Sequence, residues 1–357
     1  MLIVIIFLIL SAFSFYRRDN GLTIKLVMIF LAGISIFLSS KSSDFPIYEG
    51  YYEKVQPLYT VLRHWDFSSF DTEEKFEIGY ALLNSFFKMF TAHVAILYIF
   101  SNAFILLLIY IFIRKKTLNS YKVLLPYFVF VFISIQVGII RQAISIAIFF
   151  FCIRFIISKD FWRYAIGIIL AGLFHRTALF LLPLYFLANR KFSNRLLWII
   201  FGIGLMIYMQ IIPFSPLTLL EGTANIFLPS IGDKLVFYLF QNKQLGAPSK
   251  FTQGIFENAI VFCLLIWARK ELIKKGQYDS FLNVCFNFAI LYIFIYIYLF
   301  DLYTFIYRLN YFFVFFKFMI IAKYIESLEW NYNRFIGTLL LIFYCAIMLT
   351  IRLIQGY

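Results

Sequence analysis

Five ionisable residues stand out because they lie at or near the edges of long apolar runs: Asp44, Glu77, Arg141, His175 and Arg308. A charged side chain at the edge of a membrane span is costly unless it meets a partner, a ligand or water. Two guanidinium groups in one cleft could bind a lipid diphosphate, because each presents a rigid fork of donors. An imidazole could accept a hydroxyl proton. These residue types indicate chemistry on a phosphorylated lipid.

Each of these residues also has a purely structural interpretation. Arg141 and Arg308 could extend toward the membrane surface or pair with a carboxylate such as Asp301. A lone histidine in a helical bundle is commonly a packing residue. Arg176 directly follows His175 and favours the functional interpretation, because cations cluster where anions bind.

The segment after Ser39 interleaves aromatic rings with carboxylates, beginning with Asp44 and Tyr48. A ring face packs on the apolar face of a sugar, and a carboxylate accepts hydrogen bonds from sugar hydroxyls. The same rings are equally typical of an aromatic belt at a membrane surface. Asp44 and Glu77 are the carboxylates that we expect to take part in binding.

The composition determines what kind of protein positions these residues. Of 357 residues, 63% are hydrophobic, 22% are aromatic and only 14% are charged. Soluble proteins carry about 25% charged residues. The chain has too few charges to cover a surface in water, which excludes a soluble enzyme and a disordered chain. It is therefore predicted to be an all-α polytopic membrane protein.

Short basic clusters interrupt the apolar runs, and Lys and Arg mark cytoplasmic turns. Between successive clusters the chain must cross the membrane and return, and we call this rule charge parity. It predicts about 12 transmembrane helices in a single integral membrane domain, residues 1–357, with both termini outside. External loops are predicted at 39–90, with an interfacial helix at 78–90, and at 215–253. The predicted spans are 2–16, 22–38, 92–113, 123–137, 142–157, 164–174, 176–188, 196–214, 254–268, 280–300, 303–322 and 335–353.

Residues 164–188 are long enough to form one tilted span. Charge parity, however, requires the chain to cross toward the outside and come back within this segment. Two short helices that meet near His175 would satisfy parity. Such broken helices are tolerated at membrane depth where they line a protein cavity. One long span with a parity change elsewhere is the alternative.

The net charge of +14 belongs to the predicted cytoplasmic turns and to two lysines within spans, so it does not indicate nucleic acid. The four cysteines lie in apolar runs without metal-ligand spacing. Walker, GxSxG, HExxH and EF-hand patterns do not occur. We therefore expect no metal and no cofactor.

Several segments in chain order resemble the EpsG family of Wzy-type polymerases of bacterial O antigen, capsule and exopolysaccharide. The resemblance covers residues 44–188 and 301–313. The segments that carry it are Asp44 with Tyr48, Glu77-Ile78-Gly79-Tyr80, residues 138–147 around Arg141-Gln142, residues 173–179 around His175-Arg176, and residues 307–312 around Tyr307-Arg308.

The resemblance implies a metal-independent, inverting glycosyltransferase with a GT-C-like fold in the bacterial inner membrane. Its substrates would be undecaprenyl-diphosphate-linked oligosaccharides, which it would polymerise at the periplasmic or exterior face. Arg141 and Arg308 would bind the diphosphate. His175 would be the base or a hydrogen-bond donor to a phosphate oxygen, and Asp44 or Glu77 would be the competing base. The residues expected to bind substrate are Asp44, Tyr48, Glu77, Gln142, Arg176, Tyr307 and Tyr311.

Two other functions stay open at this point. A lipid-linked oligosaccharide flippase or transporter would also have about twelve spans, but should show internal repeats and charges near the midplane. A membrane O-acyltransferase could use His175. Besides the lipid bilayer, a chain-length-determining co-polymerase is a candidate partner that the sequence does not decide.

Overall fold

The structure is a computed structural model that describes residues 1–16, 18, 20–70, 76–114, 116–214, 253–300, 302–329 and 332–354. All regular elements in these ranges are helices, which confirms the all-α class. The predicted external loop at 215–253 lies outside the described residues except for its last residue, Gln253.

The chain forms two compact units, Met1–Tyr185 with Leu328–Tyr357, and Phe186–Ser327. Helices that lie in the first unit are α1 (Leu2–Ser14), α2 (Gly21–Ser39), α3 (Phe45–Lys54), α4 (Leu58–His64), α5 (Ile78–Lys88), α6 (Val94–Ile113), α7 (Tyr121–Tyr127), α8 (Ile140–Ile157) and α9 (Phe161–Gly172). A short 3₁₀ turn (Ser68–Phe70), a π-helix (Phe128–Gln136) and a 3₁₀ helix (Arg176–Leu184) also belong to it.

The next helix, α10 (Tyr185–Ala188), begins at the boundary between the units. The second unit contains α11 (Asn194–Tyr208), α12 (Gln253–Lys274), α13 (Ser280–Tyr298), α14 (Tyr303–Asn310) and α15 (Phe316–Ser327). The last helix, α16 (Tyr332–Ile354), returns to the first unit.

Five helices in the described ranges are long and apolar enough to cross a membrane: α2, α6, α8, α13 and α16. Shorter apolar helices occupy the spans predicted at 2–16, 123–137, 164–174, 176–188 and 196–214. The 22-residue α12 covers the span predicted at 254–268, and the span predicted at 303–322 is divided between α14 and α15. These observations support a polytopic membrane protein. The number twelve stays a prediction.

Residues 164–188 form a helical hairpin, as the broken-pair alternative predicts. Helix α9 ends at Gly172 and the 3₁₀ helix begins at Arg176. The hydroxyl of Tyr164 donates to the carbonyl of Leu181 at 2.7 Å, so the base of one arm lies beside the end of the other. The first arm is about 18 Å long and the second, which continues into Tyr185–Ala188, is about 24 Å long. Both are too short for a hydrocarbon core of about 30 Å. The hairpin therefore has the dimensions of a re-entrant element.

The described residues of the segment predicted as an external loop at 39–90 include three α-helices, α3, α4 and α5. Helix α5 buries Tyr80 and Asn84 on one face, which agrees with the helical spacing in its sequence. Its last residue, Lys88, donates to the carbonyl of Tyr52 in α3 at 2.9 Å, and Ser85 donates to the carbonyl of Gln56 at 2.7 Å. These bonds join α5 to α3 as one layer that carries part of the candidate site.

Helix α8 packs against α6 and α9 and supplies the centre of the first unit. It follows the π-helix, which begins two residues after Pro126. Proline lacks the N–H that continues an α-helix, and a π-helix is a known accommodation of a disturbed hydrogen-bond ladder. Gly138 and Ile139 then connect to the start of α8, and Arg141 is its second residue.

Candidate functional site

Three sequence-predicted residues meet in the first unit, on separate elements. Glu77 immediately precedes α5, Arg141 lies in the first turn of α8, and His175 lies at the tip of the hairpin. The side chains of Arg141 and Glu77 are 18% and 11% exposed, and His175 is 5% exposed as a residue. The cluster is thus nearly enclosed by protein.

Arg141 is held by contacts from two sides. Its Nη1 donates to Glu77 Oε2 in a salt bridge, and its Nε donates to the Tyr48 hydroxyl at 3.3 Å. The guanidinium carbon lies 4.4 Å from the centre of the Phe76 ring, a distance typical of a cation–π contact. These contacts fix the cation in position.

Glu77 connects Arg141 to the hairpin tip. Its Oε1 lies 3.6 Å from His175 Nδ1, within ion-pair distance, and accepts the backbone N–H of Arg176 at 3.5 Å. Burial raises the pKa of Glu77, but the hydrogen bonding by His175 and the positive charge of Arg141 outweigh it. The resulting pKa falls from 4.5 to about 2, so Glu77 is a carboxylate at neutral pH.

The hairpin tip is anchored to α5 and α8. Gly79 N–H donates to the carbonyl of Leu173 at 2.9 Å, which joins an N-terminal donor of α5 to the end of α9. A Cβ at position 79 would lie 2.7 Å from that carbonyl oxygen, so only glycine permits this approach. From α8, Ser145 Oγ donates to the carbonyl of Ala171 at 3.0 Å.

Aromatic rings line one side of the cluster. The Phe76 ring lies 5.5 Å from Tyr48, 4.6 Å from Tyr51 and 5.5 Å from Tyr80, centre to centre. Neither Phe76 nor Tyr51 is among the site residues predicted from the sequence. Tyr48 and Tyr51 are three residues apart, which places them on one face of a helix, and this spacing is the signal that could have identified Tyr51.

Tyr48 is buried beneath Arg141, and the charges around it change the pKa of its phenol. Burial raises the pKa of its phenol, Arg141 opposes the rise, and Asp44 and Glu77 add to it. The negative charge of Asp44 is close enough to contribute to the raised pKa of Tyr48, and the Asp44 carboxylate accepts a hydrogen bond from Ser43 Oγ at 3.3 Å. Asp44 therefore lies at the margin of the site.

The remaining predicted residues are placed as follows. Gln142, next to Arg141 in α8, is fully buried. Arg176 contributes its backbone N–H to Glu77, while its side chain is exposed. Arg308 is partly exposed in α14, and the ring of Tyr307 lies edge-on to Tyr311 at 4.7 Å.

Arg308, Tyr307 and Tyr311 belong to the second unit, whereas Arg141 belongs to the first. Their convergence on one substrate stays a prediction. Within the described ranges, no group of three His, Cys, Asp or Glu residues lies close enough to hold a metal ion. Metal independence likewise stays a prediction.

A cavity of about 520 Å³ lies between α3 and the facing ends of α2 and α6. Carboxylates and aromatic side chains contribute to its wall, among them Glu49, Glu53, Phe37, Tyr52 and His93. Arg141 and His175 do not line it. The combination of rings and carboxylates is the one that the sequence analysis associates with sugars.

Comparison with known proteins gives one family. The family model described as "EpsG family" matches residues 21–356, nearly the whole chain. No curated protein and no solved structure matches the chain. The match includes every element that builds the Arg141, Glu77 and His175 cluster. The chain therefore belongs to the EpsG family, which is a Wzy-like polymerase family.

Proposed function

We propose that the protein polymerises undecaprenyl-diphosphate-linked oligosaccharide repeat units into O antigen, capsule or exopolysaccharide at the exterior face of the bacterial inner membrane. The observation that carries the proposal is the cluster of Arg141, Glu77 and His175 at the tip of a short hairpin. Family membership supports the polymerase class.

Glycosyl transfer from a lipid diphosphate requires a cation where negative charge develops on the leaving group. Arg141 donates to two protein acceptors among the described residues, Glu77 and Tyr48. A guanidinium has five N–H donors, so others are available to phosphate oxygens. The Phe76 ring and Glu77 hold it in one orientation before substrate arrives, which is the arrangement that favours transition-state binding.

The attacking sugar hydroxyl requires a base. Glu77 has a pKa of about 2 and is a weak base at neutral pH, because a general base works best with a pKa near the working pH. His175 presents Nδ1 to Glu77, so Nε2 is the nitrogen that would take the proton. Glu77 would then act as the group that orients the imidazole, as a carboxylate does for histidine in many hydrolases.

The proposed transfer needs only the two substrates together with His175 and Arg141. The acceptor hydroxyl oxygen forms a bond to the anomeric carbon of the donor, and its proton passes to His175. The bond from that carbon to the diphosphate oxygen breaks, and its electron pair remains on the diphosphate next to Arg141. Because the hydroxyl attacks from the side opposite the leaving group, the configuration inverts. The cavity beside Glu49 and Glu53 is the proposed location for sugars of a bound repeat unit.

One observation favours a flippase as a second candidate. Lys317 is fully buried in the second unit, and its Nζ lies 2.9 Å from Glu257 Oε1. Glu257 is not among the site residues predicted from the sequence. The Glu257 side chain is 21% exposed, so the pair joins a buried cation to a partly exposed carboxylate. Ionisable residues within membrane-embedded helices commonly mark transport pathways. The same pair could equally stabilise a polymerase, so the experiment must separate synthesis from translocation.

The test is reconstitution of the purified full chain with purified lipid-linked repeat units and no other protein, followed by electrophoresis of the glycan. The proposal predicts a ladder of lengths that increases with time. In sealed vesicles, translocation of the repeat unit without any change in glycan length would instead establish the flippase.

A further inference from the structure

A second cavity lies at the other end of the first unit, between the start of α2 and the end of α6. Its volume is about 420 Å³. Its wall includes Arg18, Lys25, Tyr110, Arg114 and Thr117. None of them takes part in the candidate site.

Among the described residues that line the cavity, Arg18, Lys25 and Arg114 are cations and none is a carboxylate. All three are exposed, and the Arg114 guanidinium lies 5.7 Å from the centre of the Tyr110 ring. The N-terminus of the 19-residue helix α2 also faces this region and adds partial positive charge. Such a cavity attracts an anion.

Thr117 supplies an independent observation. Its hydroxyl oxygen is buried and has no hydrogen-bond partner in the part of the chain that the structure describes. A buried polar group is normally paired. A ligand oxygen in the cavity would provide the missing partner.

The surface beside the cavity is apolar and exposed. On α2, Leu22, Leu26 and Ile29 form a stripe with exposures of 64%, 56% and 68%. On α6, Leu107 and Ile111 are 53% and 46% exposed. A small soluble anion would make no contact with these apolar stripes, whereas the hydrocarbon chains of a lipid would pack against them.

The two cavities lie at opposite ends of the antiparallel helices α2 and α6. Ile36 and Val94 line the first cavity, whereas Lys25 and Tyr110 line the second. A 19-residue helix spans about 28 Å, close to the hydrocarbon thickness of about 30 Å. The basic cavity is therefore a membrane thickness away from α3 and the candidate site.

We propose that this basic cavity binds the phosphate-bearing headgroup of an anionic glycerophospholipid, with its acyl chains along the exposed stripes of α2 and α6. The site is separate from the proposed glycosyl transfer. Its occupant is a bilayer lipid of the surface opposite the candidate site. The three cations provide the attraction, and Thr117 and the start of α2 provide directed hydrogen bonds.

The test is native mass spectrometry of the detergent-purified full chain with added phosphatidylglycerol, phosphatidylcholine or glycerol 3-phosphate. We expect phosphatidylglycerol to bind at least tenfold more tightly than the other two. Each cation near an anionic surface contributes about fivefold in affinity, so the triple variant Arg18→Gln, Lys25→Gln, Arg114→Gln should bind on the order of a hundredfold more weakly.

Two controls make the result specific. Lys159→Gln removes one exposed cation of the same unit that does not line the cavity, and it should leave binding within twofold of wild type. The double variant Arg18→Lys, Arg114→Lys keeps the charge and should retain binding. Three results would overturn the proposal: equal binding of phosphatidylcholine, equal binding of glycerol 3-phosphate, or a triple variant that binds like wild type.

Discussion

Glu77 stands between a cation and an imidazole: one carboxylate oxygen accepts from Arg141, and the other lies 3.6 Å from His175 Nδ1. The three residues come from three elements that the chain brings together at the hairpin tip. This relationship assigns different tasks to residues that the sequence offers as competing candidates. Glu77 becomes the residue that positions the other two.

Replacement of Glu77 by Gln tests this assignment. The amide cannot neutralise Arg141 or attract His175 as a carboxylate does, so both side chains lose their common partner. We expect the polymerisation rate to fall roughly a hundredfold, the scale of a lost acid–base contribution. Asp66→Asn is the matched control, because Asp66 is an exposed carboxylate of the same region and should retain activity. Normal rates in Glu77→Gln would remove Glu77 from the site.

The low pKa of Glu77 gives a stability prediction with a definite sign. Its pKa of about 2 in the folded protein lies below its ordinary value of 4.5, so the carboxylate stabilises the fold above pH 4.5. That stability, up to about 3 kcal/mol, is lost as the pH falls from 4.5 toward 2. The thermal unfolding temperature of the wild type should fall as the pH is lowered over this range, and that of Glu77→Gln should fall less. Parallel curves would contradict the assigned pKa.

Gly79→Ala tests the link between α5 and the hairpin. The new Cβ would lie 2.7 Å from the Leu173 carbonyl oxygen, and backbone cannot move aside without displacing the tip. We expect a loss of about 1–3 kcal/mol in stability and a loss of polymer ladder. Gly50→Ala in α3 is the control, since no atom lies within 4 Å of its Cβ position. If both variants behave alike, the close approach at Gly79 has no structural importance.

The hairpin tip can be located by chemical labelling. In a variant whose cysteines are all changed to Ser, Arg176→Cys should react with a membrane-impermeant maleimide added to intact spheroplasts. Lys159→Cys, between α8 and α9 at the base of the hairpin, should react only after lysis. The same measurement separates the polymerase from an acyltransferase with a cytoplasmic donor. Labelling of Lys159→Cys alone in intact spheroplasts would invert the proposed orientation.

Much of this arrangement can be read from the sequence because membranes restrict the choices of the chain. Apolar runs and basic turns predicted the helical class, and charge parity favoured the hairpin at 164–188 with His175 at its break. Rare ions beside apolar runs identified Arg141 and Glu77 as candidates. Each of these inferences depends only on the order of apolar and charged residues along the chain.

The pairing of these residues could not be read in the same way. Arg141 and Glu77 are 64 residues apart, and their contact depends on how α5, α8 and the hairpin pack. Phe76 and Tyr51 resemble the many other aromatic residues of the chain until the Phe76 ring is seen beside Arg141 and the Tyr51 ring is seen against Phe76. The pair formed by buried Lys317 and partly exposed Glu257 could not be predicted, because only packing shows that the two side chains face each other.

The central claim is that Arg141, fixed by Glu77 and the Phe76 ring, binds the leaving diphosphate during polymerisation. The most direct measurement is the glycan ladder formed by reconstituted Arg141→Lys beside that formed by Arg163→Lys, an exposed arginine whose salt bridge joins it to Asp160. Lysine keeps the charge but loses the planar fork of donors. We predict single repeat units with Arg141→Lys and a full ladder with Arg163→Lys; a full ladder with both would contradict the account.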